Sequence, residues 1–168
     1  MEVFDAVRTV LAVRAYKDRP IPADAVRRIV EAGRLTGSSM NRQPWHFIVV
    51  QDKDKIKKMG ELIQTGSYVA QAPVAIAVVV DKGSSGVSDG SRAIQSMMLT
   101  AWSEGIGSNW TGFVGIRGLH SLLGVPNELD IIAVMPFGYP VKSIGKGKKK
   151  RKALSEVAHR EKFGQPFK

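Results

Sequence analysis

The sequence predicts a layered sandwich of helices and strands, of the α+β or α/β kind, and three observations carry that expectation. Residues 74–80 are seven consecutive apolar positions rich in β-branched side chains. That run is too short to span a bilayer and suits a central strand covered on both faces. Two further apolar runs, at 46–51 and 130–137, have strand length and composition. Between the runs lie segments whose apolar residues recur at helical spacing. Strands separated by helices build layers, because each sheet face needs an apolar cover.

Taken in order, Val3, Phe4, Val7, Val10 and Leu11 form the stripe of a first amphipathic helix. It is expected to stop near Arg14, because residues 16–22 carry two prolines. A second helix starts at Pro22 or Ala23, since proline is tolerated in the first turn. Its inner side is Val26, Ile29, Val30 and Gly33, with Arg27, Arg28 and Arg34 turned outward. Asp52 caps a third helix that buries Ile56, Met59 and Ile63 and leaves Lys53, Lys55, Lys57 and Lys58 as a solvated face. Residues 82–87 are Gly/Ser-rich and predict a mobile loop. Ser88 or Asp89 then caps the longest helix, running to about Glu104 on a stripe of Ile94, Met97, Met98, Ala101 and Trp102. Ala93 and Ser96 are small enough for close helix contact. Gly105 and Gly107 stop this helix. A short extended piece at 109–113 and a short helix through Leu119, Leu122 and Leu123 precede the 130–137 strand. Gly138-Tyr139-Pro140 turns out of that strand, and a basic segment leads to a last short helix or arm at 155–162.

At 168 residues, 43% of them hydrophobic, the chain has the length of one domain and enough apolar surface for a core. We expect a single domain over 1–168 with a basic arm from about 142. There is no cysteine, which excludes disulfides, thiol nucleophiles and thiolate metal sites. No apolar run approaches a membrane span, and Met1-Glu2-Val3-Phe4-Asp5 is too acidic for a secretory signal, so a cytoplasmic location is expected. The net charge of +10 favours anionic partners. It is concentrated at 142–152, where seven of eleven residues are Lys or Arg and none is acidic.

The stretch from Gly37 to Val50 places Ser38, Ser39 and Asn41 in a polar loop just before a core strand. So many hydrogen-bonding groups suit a ligand rich in acceptors, although ordinary turn residues of a helix-to-strand connection read the same way. Classical catalytic groups are scarce. His46, His120 and His159 have no partner at metal-ligand spacing. There is no nucleophile elbow, no P-loop, and no dinucleotide fingerprint, because Gly105-Ile106-Gly107 ends a helix instead of opening one. A chain with these omissions can still perform redox chemistry if a cofactor supplies the reactive atoms.

The run Ser38-Ser39-x-Asn41-x-Gln43-Pro44-Trp45-x-Phe47 resembles the signature of the flavin-dependent nitroreductase family. Arg14-x-Tyr16 with the following Pro20-x-Pro22 is similar in order and spacing, as are Asp89-Gly90, Gly138-Tyr139-Pro140 and Ala153-Leu154-Ser155-Glu156-Val157. The resemblance spans nearly the whole chain. It implies a mixed sheet flanked by helices, a three-layer α/β/α sandwich, assembled as an intertwined homodimer with two FMN sites at the interface. It also implies ping-pong hydride transfer from NAD(P)H through the flavin to a small electrophilic acceptor such as a nitro compound or quinone. NADH and NADPH are left equal. By the same resemblance Arg14 is the catalytic cation near the flavin pyrimidine edge. Ser38, Ser39 and Asn41 reach the flavin from the other subunit. Trp110, Thr111 and Gly112 lay their backbone against the ring, and Lys149 and Arg151 hold the phosphate.

One departure stands out. The family's Arg-[Arg/His]-Ser before the position of Arg14 is here Val10-Leu11-Ala12. Either Arg8 and the Lys-rich tail substitute, or FMN binds weakly, or a deazaflavin takes its place. Two readings from other classes stay beside the enzyme. One is a flavin- or deazaflavin-binding protein with little turnover. The other is a nucleic-acid binder using residues 146–152, disfavoured because no aromatics interleave with the lysines.

Overall fold

A computed structural model of the chain describes residues 1–112, 116, 118–142 and 149–167. Six helices and four strands are assigned among them: α1 Val3–Thr9, α2 Ala23–Arg34, β1 Trp45–Val50, α3 Lys53–Leu62, β2 Val74–Asp81, α4 Ser84–Ser103, β3 Gly107–Ser108, α5 Gly118–Leu123, β4 Leu129–Gly138 and α6 Leu154–Val157. Short 3₁₀ turns occupy Ser39–Asn41 and Ser67–Gln71.

The sheet order is β1-β2-β4-β3, and each neighbouring pair is antiparallel. The mixed character expected of it is confined to an isolated parallel bridge between Ala12 and Ser108. β2 is the central strand and is buried from Val74 to Val80. Its even positions, Val74, Ile76, Val78 and Val80, pack with Val26 and Ile29 of α2 and with Ile94, Met97 and Ala101 of α4. Its odd positions, Ala75, Ala77 and Val79, pack with Ile56 and Met59 of α3 and Leu119 of α5. The period of two along a strand thus turns one sequence run into the middle of three layers. Each fully buried Val or Ile in it contributes about 1.5–3 kcal/mol. Among the described residues no helix is long and apolar enough to cross a membrane.

Several element boundaries depart from the expected ones. α1 ends at Thr9, not near Arg14: Val10 leaves the helical region and Val13 N–H donates to Ser108 O (2.9 Å), so pairing with β3 captures the chain. The anticipated stripe of α1 is not core either. Phe4 is 75% exposed, Val3 and Val7 are exposed, and the helix buries Ala6 and Thr9. Residues 84–87 are the first turn of α4, not a loop, with Gly83 as its N-cap. Their low helix propensity is overridden by packing, since Gly86 sits against Asp81 O and Val80, where no side chain would fit. α6 stops at Val157 because the chain doubles back, with Arg160 N–H donating to Gln165 O (3.0 Å) and a bridge between His159 and Pro166. The piece expected to be extended at 109–113 is represented by an isolated bridge from Thr111 to Val134. Phe113, Lys146 and Lys148 lie outside the described residues.

Other expectations hold. Asp52 accepts from Lys55 N–H (2.7 Å) and caps α3. Arg28 donates from Nε and Nη2 to the two oxygens of Glu104 (2.8 Å each), tying α2 to the end of α4. That bidentate contact holds the Glu104 carboxyl below its ordinary value of 4.5. A carboxylate depressed in the folded state stabilises the fold above its unfolded pKa, and the effect is lost as pH falls through the folded pKa. Glu104→Gln should therefore lower the urea midpoint at neutral pH. The gap from wild type should close as pH falls below the ordinary carboxylate range, through the lowered Glu104 pKa. A gap that persists there would mean the contact does not act through the carboxylate charge.

Candidate functional site

Two groups of candidate residues lie at opposite ends of α4. At the N-terminal end is the loop that carries Ser38, Ser39 and Asn41. Ser38 Oγ accepts from Gln43 N–H (2.9 Å), and Gln43 Nε2 donates to Asn41 O (3.2 Å), so the loop is braced on itself. Pro44 O accepts from Asp81 N–H (3.0 Å), which ties the loop's exit to the end of β2. Trp45 and Phe47 then stack at 6.4 Å, with Trp45 in the core. Met40, Asn41 and Gln43 have φ of 51°, 54° and 52°. Such left-handed backbone in side-chain-bearing residues persists only where the surroundings over-determine it, and it clusters at ligand sites.

The bracing continues onto α4. Thr36 Oγ1 donates to Ser96 Oγ (2.8 Å), Arg92 Nη1 donates to Gly37 O (3.4 Å), and Ser39 donates to Asp89 from both N–H (3.0 Å) and Oγ (3.3 Å). Asp89 is therefore no helix cap. It is a buried carboxylate one full turn inside α4, and Ser96 is a hydrogen-bonding partner and not merely a small contact. The spacing 89, 92, 96 puts three polar groups on one helix face, a signal present in the sequence. Which loop they meet could not be read from it.

At the C-terminal end of α4 the chain gathers Arg8, Arg14 and Lys149. Trp102 Nε1 donates to Thr9 Oγ1 (2.9 Å), placing α1 there. Arg14 is exposed, and its backbone is pinned on both sides. Val13 N–H donates to Ser108 O (2.9 Å), Ala15 O accepts from Val141 N–H (3.2 Å), and Lys17 N–H donates to Tyr139 O (2.8 Å). Two glycines paired across β3 and β4, Gly107 and Gly138, make room for this segment. A Cβ on Gly107 would stand 2.3 Å from Val13, and one on Gly138 would stand 2.7 Å from Tyr16. Tyr16 OH donates to Val13 O (2.6 Å), and burial pushes this phenol far above its ordinary range.

Trp110 is half-buried, and Thr111 and Gly112 are buried. Thr111 exchanges both backbone hydrogen bonds with Val134 (3.1 and 2.8 Å), so its own amide is committed to β4. Its hydroxyl, Asn109 Nδ2 and Tyr68 OH form a tight three-way cluster. Gly112 has φ of 104°. Tyr68 and Asn109 carried no signal in the sequence, because nothing local to either residue places them together.

Lys149 Nζ donates to Val7 O (2.6 Å), one of the last carbonyls of α1, where a cation also suits the helix dipole. Desolvation there, with Arg151 close by, holds its pKa below the ordinary lysine value. Arg151 is exposed and donates from Nη1 to Lys150 O (2.9 Å). Arg8 pairs with Asp5 (2.9 Å), so part of its charge is already engaged. The structure thus brings Arg8, Arg14 and Lys149 toward one end of α4, while Thr111 and Gly112 lie along β4 at Val134, opposite Ala77 in the middle of β2. Asp89 and Trp102 stand about 20 Å apart along the axis at ~1.5 Å per residue, so Ser38, Ser39 and Asn41 are left at the other end.

The Gly107 packing yields a direct test. The Val13 Cβ lies only 2.7 Å from a Cβ built at Gly107, so no rotamer change relieves the clash and the backbone around Arg14 must move. Gly107→Ala should cost about 1–3 kcal/mol in urea unfolding, as overpacked sites do. Unchanged stability would mean that the Arg14 segment is not seated on β3 as described.

The profile of the Nitroreductase family matches residues 8–139. A protein of Methanothermobacter thermautotrophicus, provisionally named an NADH dehydrogenase/NAD(P)H nitroreductase, is 34% identical over 154 residues, covering 86% of this chain and 81% of that one. A crystal structure of a protein with the same provisional name from Parabacteroides distasonis aligns with TM-score 0.87 at 27% identity, over 96% of this chain and 98% of the other. A provisionally assigned nitroreductase from Desulfovibrio desulfuricans, solved in complex with FMN, aligns with TM-score 0.81 at 28% identity, over 97% and 98% of the two chains. With a polar, strained loop at one end of its long core helix, a pinned arginine segment at the other, and family-level similarity along nearly all its length, this chain belongs to the Nitroreductase family.

Proposed function

We propose that the protein is an NAD(P)H-dependent flavin oxidoreductase with FMN as its cofactor, acting as a homodimer on a small electrophilic acceptor such as a nitro compound or quinone. The observation that carries this reading is the likeness over nearly the whole chain to a nitroreductase that contains FMN. The donor set fits such a group. An exposed Arg14 on a pinned backbone and the cations Lys149 and Arg151 suit an anionic cofactor, and the Ser38–Asn41 loop suits a ring with many acceptors. Val10 and Ala12 offer no side-chain donor, so the phosphate depends on the tail.

When bound, FMN supplies the hydride-accepting and hydride-donating atoms, first toward the nicotinamide and then toward the acceptor, in ping-pong order. The chain's part is electrostatic and positional. Arg14 offers a fixed positive charge where negative charge collects on reduction, without reorganising at the moment of transfer. The backbone of 110–112, held on β4 through Thr111, presents a rigid wall. Lys149 and Arg151 anchor the phosphate, and Arg151 can grip two phosphate oxygens at once. No protein nucleophile or proton-relaying histidine is required.

The separation of the candidate groups supports a dimer. Flavin contacts split between the ends of α4 converge on one site only if a second copy supplies the loop, and a two-fold pair makes two such sites. The exposed apolar face of α1 and the exposed Leu154, Val157, Phe163 and Phe167 of the C-terminal arm suit burial against that copy. Sedimentation should give about twice 18.3 kDa. A monomer that retains stoichiometric flavin would overturn the arrangement. A reducing, cytoplasmic setting fits a chain with no cysteine.

The activity itself is tested by the absorption spectrum of the purified protein, mass identification of the released cofactor, and NAD(P)H oxidation with a nitroaromatic or quinone. Arg14→Ala should slow stopped-flow flavin reduction by about tenfold or more. Gln at His46, His120 or His159 should leave turnover within about tenfold. Arg151→Ala should weaken FMN binding about tenfold to a hundredfold, more than Lys149→Ala does, because a charge-assisted contact contributes about 1.5–3 kcal/mol. A cofactor without a phosphate, or full FMN affinity in Arg151→Ala, would refute the phosphate assignment. A colourless protein that binds no flavin would refute the function.

A further inference from the structure

Asp89 is 1% exposed, yet its carboxylate is neither a helix cap nor part of an acidic cluster. It receives two hydrogen bonds from a single residue, Ser39, through the backbone N–H and through Oγ. Arg92 lies 3.6 Å from the same carboxylate and donates to the carbonyl of Gly37 on the near side of the loop. Ser96 receives Thr36 one turn further along. Three groups on one face of α4 therefore engage residues 39, 37 and 36 in reverse order, like a ladder. Immediately beyond its last rung the backbone enters the left-handed conformations of Met40 and Asn41.

Nothing in the loop's own composition favours that conformation at Met40, whose side chain is 77% exposed and packs little. Besides the turn's own backbone bonds, Asn41 N–H to Ser38 O and Arg42 N–H to Ser39 O (3.1 Å each), side chains brace it from two sides, Gln43 on Ser38 from within and Asp89 on Ser39 from below. Of the two side-chain braces, the Asp89 contact is charge-assisted and desolvated, so it is the stronger. Its other side is equally constrained. α4 cannot shift on the sheet, because Ile94 and Met97, on the turns that follow, are fully buried in the core.

We infer that Asp89 is a positioning residue for the flavin: it carries the rigidity of the core into the Ser38–Asn41 loop and sets the geometry in which that loop meets the cofactor. The inference rests on the reading of this loop as flavin-contacting. Asp89 itself does not reach a ligand, being buried beneath Ser39. Its effect is on affinity and loop order, and the rate of chemistry at saturating FMN stays with Arg14 and the 110–112 wall.

The test uses the full chain with Asp89→Asn, which keeps the shape, and Asp89→Ala, which removes every acceptor. Hydrogen exchange of the peptide covering 36–43, measured without flavin, should show faster exchange in both variants. FMN titration should show affinity lowered about threefold to tenfold in Asp89→Asn and about tenfold to a hundredfold in Asp89→Ala, as expected for loss of charge-assisted contacts. Turnover at saturating FMN should stay within about threefold of wild type, because binding and not transition-state contact is removed. A merely structural role would instead lower the melting temperature and leave the FMN affinity of the folded fraction unchanged. Should Asp89→Ala fail to fold, the isosteric Asp89→Asn carries the decision. Wild-type exchange in the 36–43 peptide, or faster exchange with unchanged FMN affinity, would overturn the inference alone. A wild-type protein that binds no FMN would overturn the functional reading, and the inference with it.

Discussion

The packing of α4 across the sheet is the constraint on which the rest of the structure depends. Its inner stripe, Ile94, Met97 and Ala101, closes one core against β2 and α2. Its flank at Asp89, Arg92 and Ser96 organises the polar loop, its Trp102 holds Thr9 of α1, and the residue after its last turn holds Arg28 of α2. One rigid rod thus sets the positions of both candidate groups, and because interiors are close-packed it transmits position without slack. The distance between the groups is then a property of helix length, and neither group can drift toward the other within one chain.

That geometry has a consequence for how the site is made. On the proposed reading, a flavin that contacts both groups lies between two chains, and the exposed apolar surface at α1 and in the C-terminal arm is what the second copy covers. The basic tail fits the same picture. Lys149 docks on the last turn of α1, beside Val10-Leu11-Ala12, which carry no side-chain donor. On the proposed reading, cations on the tail stand in for donors absent from the α1 end, and the contact of Lys149 with Val7 is what supports it. Residues 143–148 lie outside the described residues, so the contact of Lys149 is the observation that locates the tail's return.

Much of the architecture was legible in the sequence. The run at 74–80, seven apolar residues rich in β-branches, read as a doubly covered strand, and the 3.6-residue spacing of Val26, Ile29 and Gly33 or of Ile94, Met97 and Ala101 names the faces that cover it. The Asp52 cap was equally local, a side chain bonding a backbone N–H three residues on. The candidate residues were legible as types: a donor-rich loop, an isolated arginine before two prolines, a basic tail. Their spacing along the chain also carried the family resemblance that the comparisons bear out.

What the sequence alone could not decide were the contacts that join distant segments. Whether 84–87 is loop or helix turns on Gly86 meeting the end of β2, and whether α1 continues past Thr9 turns on a bridge to β3 nearly a hundred residues away. Asp89 reads as a cap from its neighbours, because local pattern reports only helical phase; its true partner, Ser39, is fifty positions earlier. The Tyr68–Asn109–Thr111 cluster has no local trace at all. Periodicity and capping are short-range physics and are written into neighbouring residues. The closing of a buried carboxylate onto a distant loop amide is a long-range event, and it is settled only when the core fills and buries that carboxylate against the loop.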